Sequence, residues 1–405
     1  MWFYLIFVFS ILVLGAFSVG PFSIRVYMTL LMMFALVIIK KRCIYKLPAS
    51  YIIIYIIFLA VTGMTLLANG QFEAVEFGKY LLSNYLVCIV AYYASDRFLI
   101  NEKSIRSSYY LLLIIVLITS VVSIFQFYYP TIGRAMSLTF INSTQGIEDI
   151  NEVLDKTMES ELGSSMIGGI FGYPFTNALM IGTCGLFSFA LIKNDNNLLT
   201  KIFASICIVF AFIGCFLTQE RASFYMFFVF SVVFGYLLLA RKSRVYKIRT
   251  LFIAFLIVVV FLGYFFTLSE MQLGRLVNFN FKEDTRTDIW NTAFDFVLEH
   301  LFLGGPAEYA KRFAIAPHNI FLYAFIYSGL IGGLIVLFMY IKIIILSLRI
   351  FFPLRITLST VAAAALLSQS VYSLTHNASL ITGDTIIFVF LPIMLRAKQL
   401  ETGKL

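Results

Sequence analysis

The chain has 405 residues, of which 61% are hydrophobic and only 13% are charged. A soluble protein could not cover so much apolar area, so the composition indicates an integral membrane protein and excludes an ordinary soluble domain. The formal net charge of +9 would favour nucleic-acid binding if the basic residues were gathered on one domain, but they lie between the apolar segments, so no nucleic-acid partner is expected.

Apolar segments of about 20 residues, the length that crosses a bilayer as a helix, recur along the whole chain. They predict an all-α integral membrane protein with about 12 transmembrane helices in a single polytopic domain over residues 1–405. The N-terminal segment lacks the basic start of a secretory signal and is interpreted as a retained first helix. The predicted spans are 2–20, 24–39, 49–68, 78–95, 107–128, 173–192, 202–218, 221–240, 250–267, 318–341, 356–374 and 380–395.

The basic clusters fall on alternate loops between these spans, at 40–46, 241–249 and 396–405. The positive-inside rule then places both termini and these clusters in the cytoplasm. The five cysteines show no paired spacing and mostly lie inside apolar segments, so we interpret them as packing residues.

Two of the predicted outer segments are long. The first, 129–172, contains an acidic stretch at 146–162 with apolar residues at helical spacing, which predicts an amphipathic helix on the outer surface. The second, 268–317, is a large outer, periplasmic loop with helical character between the ninth and tenth spans. Neither segment reads as a separate soluble domain.

An arginine lies in the turn between the seventh and eighth spans, in "FLTQERASFYMFF" (216–228). Arg221 and Glu220 are either ordinary solvated charges, or Arg221 binds an anion at membrane depth. The second interpretation rests on the short turn, which cannot lift the guanidinium far into water, and on the functional bias of charges at membrane depth.

A second arginine, Arg286, precedes Trp290 in "TRTDIWNTAFDFVLEHLFLGG" (285–305). Thr285 is a candidate N-cap with Asp288 three residues later, so Arg286 is expected in the first turn of a helix. A cation there opposes the helix dipole, and an anionic ligand at the same end would offset that cost. The alternative is a surface arginine paired with a nearby aspartate.

His318 and Asn319 begin the tenth predicted span, in "PHNIFLYAFIYSGLIGG" (317–333). One interpretation is a histidine at the mouth of a helix that Asn319 caps. The other is a functional imidazole held on a closely packed element, because glycines at 329, 332 and 333 permit close helix contact.

Together these residue types suit one kind of chemistry. Guanidinium groups match phosphate oxygens bidentately, and a neutral imidazole can accept a proton from a hydroxyl group. The set fits attack of a sugar hydroxyl on a sugar linked to a lipid pyrophosphate. No metal or other cofactor is expected, because the chain shows no DxD motif and no cluster at metal-ligand spacing.

The run 285–305 followed by 317–333 resembles the signature of the O-antigen ligase/polymerase superfamily, which comprises bacterial membrane glycosyltransferases of the GT-C type. The resemblance rests on Arg286 with Trp290, on the glycine turn at 304–305, and on the His-Asn start of the tenth span. The "TQERASF" turn and "GGIFGYPFTNALM" (168–180) are similar to further family segments, although Phe175 and Thr176 separate the proline from the asparagine. The glycine turn also departs from the usual spacing.

The resemblance implies His318, Arg286 and Arg221 as catalytic residues, and Asn319, Trp290, Arg275 and Arg312 as substrate-binding residues. It implies transfer of an undecaprenyl-diphosphate-linked oligosaccharide at the outer face of the bacterial inner membrane, within the lipid bilayer, with a chain-length regulator as a further partner.

We favour a polymerase that joins repeat units of O-antigen or a related surface polysaccharide. The alternatives are a ligase that transfers the glycan to lipid A-core, a polysaccharide or lipid transporter, and, more weakly, a metal-dependent protein glycosyltransferase.

Overall fold

The structure of the protein is a computed structural model, and it describes residues 1–19, 22–39, 46–138, 141, 167–240, 285–313, 316–376 and 385–403. The described part is predominantly helical, with one short β-hairpin formed by β1 (Ser18–Val19) and β2 (Phe22–Ser23). Its α-helices, in chain order, are α1 (Trp2–Leu12), α2 (Ile24–Ile38), α3 (Ser50–Ala68), α4 (Ala74–Tyr80), α5 (Leu86–Phe98), α6 (Glu102–Tyr128), α7 (Pro130–Ala135), α8 (Pro174–Cys184), α9 (Phe187–Asn194), α10 (Leu198–Thr218), α11 (Arg221–Leu239), α12 (Thr285–Glu299), α13 (Pro306–Arg312), α14 (Ile320–Phe351), α15 (Leu358–Thr375) and α16 (Thr385–Thr402).

The helices agree with an all-α membrane protein. Among the described residues, six segments are long and apolar enough to cross a membrane: 50–68, 102–128, 174–194, 198–218, 221–239 and 320–351. Each predicted span whose residues are described coincides at least in part with a helix, whereas the ninth, 250–267, lies outside the described residues. The total of about 12 spans therefore stays a prediction, and so does the amphipathic helix at 146–162, which also lies outside them.

The structure corrects the first predicted span, 2–20, because the helix there is shorter than predicted. Helix α1 ends at Leu12, and the chain continues through a 3₁₀ turn (Leu14–Ala16) into the β-hairpin. A Cβ added at Gly15 would lie 2.3 Å from Nη2 of Arg25, so the absence of a side chain there accommodates a guanidinium at the end of α1. The sequence pattern alone did not reveal that a basic side chain folds back onto this apolar segment.

The chain divides into two compact units. The first comprises residues 1–111, 280–353 and 358–405, and the second comprises 112–279 and 354–357. Helix α6 contributes to both, because the division falls within it.

In the first unit, α14 packs against α3 and α15, and α15 packs against α16. Helix α14 is not regular: Gly329 has φ 61° and ψ −163°, which breaks the helix into two parts. Only glycine adopts this region readily, because a Cβ would clash with the neighbouring carbonyl groups. Two hydroxyl groups of α3 hold the residue before the break, since Thr62 Oγ1 lies 2.9 Å from Ser328 Oγ and Thr65 Oγ1 donates to the Ser328 carbonyl over 3.3 Å.

The C-terminal half of α16 carries a fully buried arginine. Arg396 is 0% exposed, and its Nη2 lies 2.6 Å from Asp96 Oδ1 on α5, while its Nη1 donates to Gln399 Oε1 over 2.8 Å. Gln399 Nε2 donates to the Lys46 carbonyl over 3.1 Å, and the Leu47 N–H donates to Asp96 over 2.9 Å. This Arg396 cluster ties Lys46 and Leu47, which precede α3, to α5 and α16.

In the second unit, glycines bring helices close together. A Cβ added at Gly182 of α8 would lie 3.1 Å from the Ser223 carbonyl oxygen of α11. One at Gly185 would lie 2.8 Å from the Ala211 Cβ, and one at Gly214 would lie 2.6 Å from Ser120 Oγ. Small residues at these positions allow the main chains to approach closely, as is typical of helices packed within a membrane.

Candidate active site

His318 lies at the junction that precedes α14. Its φ of 48° is in the left-handed region, which histidine adopts more often than most residues but which still costs on the order of 1–3 kcal/mol. Pro317 before it is buried, and Asn319 after it caps α14, with its Oδ1 accepting from the N–H groups of Phe321 (2.9 Å) and Leu322 (3.2 Å). Both neighbours therefore fix the backbone that carries the partly exposed imidazole.

A second histidine, His376, approaches His318. The two ring centroids are 6.1 Å apart with the planes at 81°, and His376 is only 4% exposed. The His376 ring also stacks on Tyr372, with centroids 4.4 Å apart. Asn319 Nδ2 donates to the Leu374 carbonyl over 3.2 Å, so the end of α15 supports both residues at the start of α14.

The sequence alone does not single out His376, because the predicted spans place it in a short outer loop between 356–374 and 380–395. A signal was nevertheless present: His376 is followed by Asn377, as His318 is followed by Asn319. A repeated His-Asn pair in a chain with three histidines would have justified testing whether the two pairs meet.

The glycine turn at 304–305 lies against the break in α14. The Gly305 N–H donates to the Ile326 carbonyl over 2.9 Å, and Gly304 has φ 65°. A Cβ at Gly304 would lie 2.4 Å from the Ile326 oxygen, and a Cβ at Gly329 would lie 2.2 Å from the Phe302 oxygen. The turn and the helix therefore touch through their main chains, which explains why glycines occur in both segments.

Helices α12 and α13 pack on the part of α14 that precedes the break. Ala293, Phe296 and Val297 of α12 and Tyr309 of α13 form a buried cluster with Ile326 of α14. The segment between the ninth and tenth predicted spans is thus helical where it is described and joins the unit that carries His318.

Arg286 lies in the first turn of α12, as the sequence predicts. Trp290 follows one turn later. Its indole N–H is buried and has no hydrogen-bond partner among the described residues, and a buried donor left unsatisfied costs about 1–3 kcal/mol. A ligand that accepts this hydrogen bond would recover that cost.

Arg312, predicted to bind substrate, forms ion pairs within the protein. Its Nη1 lies 2.8 Å from Glu299 Oε2, and its Nη2 contacts Glu308 Oε1. His300 Nε2 lies 2.9 Å from Glu308 Oε2, so one carboxylate joins α12 to α13. Desolvation opposes ionisation of Glu308, but hydrogen bonds from His300 and Arg312 outweigh it and lower the pKa of the carboxyl. These contacts give Arg312 a structural function, and its substrate contact stays a prediction.

Arg221 is the first residue of α11, after a turn in which Gln219 is left-handed (φ 53°). Glu220 is 3% exposed, whereas the Arg221 side chain is partly exposed. Ser223, two residues after Arg221, contacts Gly182 of α8, so the start of α11 lies beside α8.

The segment 168–180 contributes a buried amide network near the start of α8. Asn177 is 0% exposed, and its Oδ1 accepts from Thr119 over 2.6 Å while its Nδ2 donates to Ser123 over 3.0 Å. Gln126 exchanges two hydrogen bonds with the Gly169 main chain, at 2.7 and 3.0 Å. The glycine-proline-asparagine pattern here therefore stabilises the polar end of α6 in the second unit.

The predicted site residues divide between the two units. His318, Asn319, Arg286, Trp290 and Arg312 belong to the first unit, and Arg221 belongs to the second. Arg275 lies outside the described residues.

Comparison with known proteins identifies the central part of the chain. Residues 206–337 match the family model described as O-Antigen ligase. No curated protein matches the chain. The matched range contains Arg221, Arg286 and His318, and the family comprises glycosyltransferase-like enzymes of polysaccharide biosynthesis. The apolar helices indicate a multi-pass membrane protein, and its residues 206–337 match the O-antigen ligase family, which supports the O-antigen ligase/polymerase superfamily.

Proposed function

We propose that the chain is a polymerase that joins undecaprenyl-diphosphate-linked repeat units of O-antigen or a related surface polysaccharide. The reaction takes place at the outer face of the inner membrane, with both termini in the cytoplasm. The observation that carries the proposal is the His318 junction, which lies inside the family match. Its backbone is strained, its imidazole is partly exposed, and its neighbours on both sides are fixed.

In the reaction, the acceptor sugar hydroxyl loses its proton to the neutral imidazole of His318 as its oxygen attacks the anomeric carbon of the donor. The bond from that carbon to the pyrophosphate oxygen breaks, and the lipid pyrophosphate leaves with the electron pair. Arg221 and Arg286 bind the pyrophosphate and stabilise its growing charge. The chemistry uses no metal ion, and the family mechanism implies inversion at the anomeric carbon.

The surroundings of His318 support these assignments. Asn319 acts on the base indirectly, because its three hydrogen bonds fix the backbone at residue 318. His376 is a positioning residue that limits rotation of the His318 ring through an edge contact braced by Tyr372. Trp290 offers its buried N–H to a phosphate or sugar oxygen.

The ligase is the second candidate, favoured by the description of the matched family. The two enzymes share the donor and differ in the acceptor, which is a lipid-linked repeat unit for the polymerase and lipid A-core for the ligase. A transporter is less well supported, because the residues of the first unit to which the proposal assigns chemistry, His318, Arg286 and Trp290, lie around the start of α14 and on α12 and not along a path through the unit.

The test is the lipopolysaccharide banding pattern of a deletion strain. Loss of a polymerase leaves single repeat units on the core, whereas loss of a ligase leaves a bare core and polymer on the lipid carrier. Complementation with His318→Ala should fail by a factor of about 10² to 10⁴ in glycan product while the protein remains in the membrane. Complementation with His300→Ala, a histidine that pairs with Glu308, serves as the control and should restore product.

The arginines are tested by Arg221→Lys and Arg286→Lys, since lysine keeps the charge but loses the planar fork. Both variants should reduce product. Normal chain lengths from both arginine variants would contradict the assignment of Arg221 and Arg286 to the pyrophosphate. Normal chain lengths from His318→Ala would contradict the assignment of His318 as the base.

A further inference from the structure

Helix α12 is apolar on two sides. Ala293, Phe296 and Val297 form the side that is buried against α13 and α14. Phe294 and Leu298 lie outside this buried cluster and are 52% and 57% exposed. Because they are four residues apart, their side chains lie on the same side of the helix. Helix α12 therefore presents a second apolar side to its surroundings, and contact of that side with water would be unfavourable.

The exposed apolar side continues beyond these two residues in both directions. Trp290 lies one turn before Phe294, is partly exposed, and belongs to a residue type that is enriched where hydrocarbon meets water. Phe302, in the turn after α12, is 77% exposed, and Leu303 next to it is also exposed. We refer to Trp290, Phe294 and Leu298 as the α12 stripe, which is thus followed by two further exposed apolar residues.

The exposed surface of α12 beside the stripe is acidic. Asp295 and Glu299 directly follow Phe294 and Leu298, so they lie about 100° around the helix from the stripe, since one turn takes about 3.6 residues. Both acidic residues are exposed, and so is Asp288. A helix with apolar side chains on one exposed side and charges on another is suited to lying in the plane of a membrane interface.

Helix α3 marks the level of the hydrocarbon. Its 19 residues span about 28 Å at 1.5 Å per residue, which is close to the roughly 30 Å thickness of the hydrocarbon core. Ile53, Ile57, Met64 and Leu67 are exposed, and their spacing places them on one side of the helix, which therefore faces lipid. Because this side extends into the last turn, the end of α3 at Ala68 lies close to one edge of the hydrocarbon.

The turn after α12 meets α3 at this edge. Asn69, the residue that follows α3, donates from Nδ2 to the Leu303 carbonyl over 2.9 Å. Helix α12 itself packs on Ile326 of α14, which lies three residues, or about 4.5 Å, before Gly329, where the same turn contacts α14. The second half of α12 is therefore held near the level at which α3 ends.

We propose that α12 lies in the membrane interface, with the α12 stripe inserted where acyl chains meet headgroups and the acidic side turned to water. Bilayer lipid is the occupant of the stripe, because Phe302 and Leu303 join it to the end of a helix whose exposed side faces lipid. A helix of this kind buries its apolar face by about 5–10 Å. Since Arg286 lies in the first turn of α12, insertion also sets the depth of that turn. The inference concerns placement in the membrane and does not depend on the proposed function.

Site-directed spin labelling tests the insertion. The full chain with Cys43→Ser is reconstituted in nanodiscs, and a nitroxide is attached to one introduced cysteine at a time, since the four cysteines among the described residues are buried. Collisions of the label with oxygen, which concentrates in hydrocarbon, are compared with collisions with a water-soluble nickel chelate. Labels at Phe294→Cys and Leu298→Cys should meet oxygen more often than nickel, as should a label at Met64→Cys on the lipid-facing side of α3.

Asp295→Cys is the matched control, because it lies next to Phe294 but on the acidic side. Its label should meet nickel more often than oxygen. The labelled variants should elute and melt like the unlabelled protein, since the substituted side chains of α12 are exposed. If a stripe variant does not purify as a single species, Phe302→Cys replaces it.

The inference is overturned if either stripe label meets nickel more often than oxygen, because that side of α12 would then lie in water. It is also overturned if either label is immobilised and meets neither reagent, since protein, such as a second copy of the chain, would then cover the stripe. Preference for oxygen at Asp295→Cys would overturn it as well, because α12 would then have no water-facing side. The collision ratios require no glycan synthesis, so failure of the proposed function would leave this result unchanged.

Discussion

The two ends of the first unit are built differently. At the Arg396 end, helical backbone is regular and the buried charge is paired with Asp96 and Gln399. At the His318 end, His318, Gly304 and Gly329 all have positive φ, and the indole N–H of Trp290 has no partner within the described residues. Backbone strain at a histidine and at two closely packed glycines thus occurs where chemistry is proposed, whereas a paired buried charge occurs at the Arg396 end.

The largest effect on stability is expected at the Arg396 end. Arg396→Met would leave Asp96 without its buried partner, which typically costs about 3–5 kcal/mol. The melting temperature of the purified protein should fall strongly. Arg349→Met, on an exposed arginine near the end of α14, is the control and should change it little. Equal melting temperatures for the two variants would show that the Arg396 cluster does not stabilise the protein.

The glycine contact should come next. Gly329→Ala places a Cβ 2.2 Å from the Phe302 oxygen and in a backbone region that only glycine favours, so we expect at least about 2 kcal/mol of destabilisation. Gly235→Ala on α11 is the matched control, because no atom lies within 4 Å of the added Cβ. Thermal unfolding of both variants measures the difference. An unchanged melting temperature for Gly329→Ala would mean that α14 does not need this break.

A smaller effect, on rate and not on stability, is expected at His376. His376→Ala should lower kcat about tenfold with KM unchanged, because the His318 ring loses its edge contact and is less often oriented for proton transfer. His376→Phe should restore most of the rate, since a phenyl ring keeps the packing against Tyr372. Initial rates in proteoliposomes over a range of donor concentrations separate the two constants. A wild-type kcat for the alanine variant would exclude the positioning function.

The smallest effect concerns pH at the α12–α13 junction. The pKa of Glu308 is lowered in the folded protein, so its contribution to stability is present above its usual value of 4.5 and is lost as the pH falls through the lowered pKa. Below pH 4.5 the melting temperature of wild type should therefore decline more steeply than that of Glu308→Gln. Parallel slopes for the two proteins would show that this carboxylate does not couple stability to pH.

Much of the architecture could be predicted because apolar length and the spacing of basic clusters report directly on helices in a bilayer. The family, the helix that begins at Thr285 and the cap at Asn319 were predicted for similarly local reasons. The break at Gly329 and the early end of α1 depend on contacts with distant segments, the first with Phe302 and the second with Arg25. A pattern read along the chain does not contain such contacts.

The candidate site shows the same limit. Position within a motif selected His318, but the neighbouring His376 became visible only when the end of α15 was placed beside the start of α14. Conversely, the family resemblance implied a ligand contact for Arg312, and its carboxylate partners became apparent only from the packing of α12 on α13. Both outcomes follow from contacts between side chains on different elements, which a pattern along the chain does not define.

The contact between the glycine turn and α14 has a consequence for sugar specificity. Phe302 and Gly305 meet α14 through main-chain hydrogen bonds, so the path of the backbone sets the position of this turn together with the buried cluster that packs α12 and α13 on α14. Side chains of α12 and α13 outside that cluster can then be exchanged without displacing the base. One scaffold could in this way accept chemically different repeat units by changing only the residues that it presents to them.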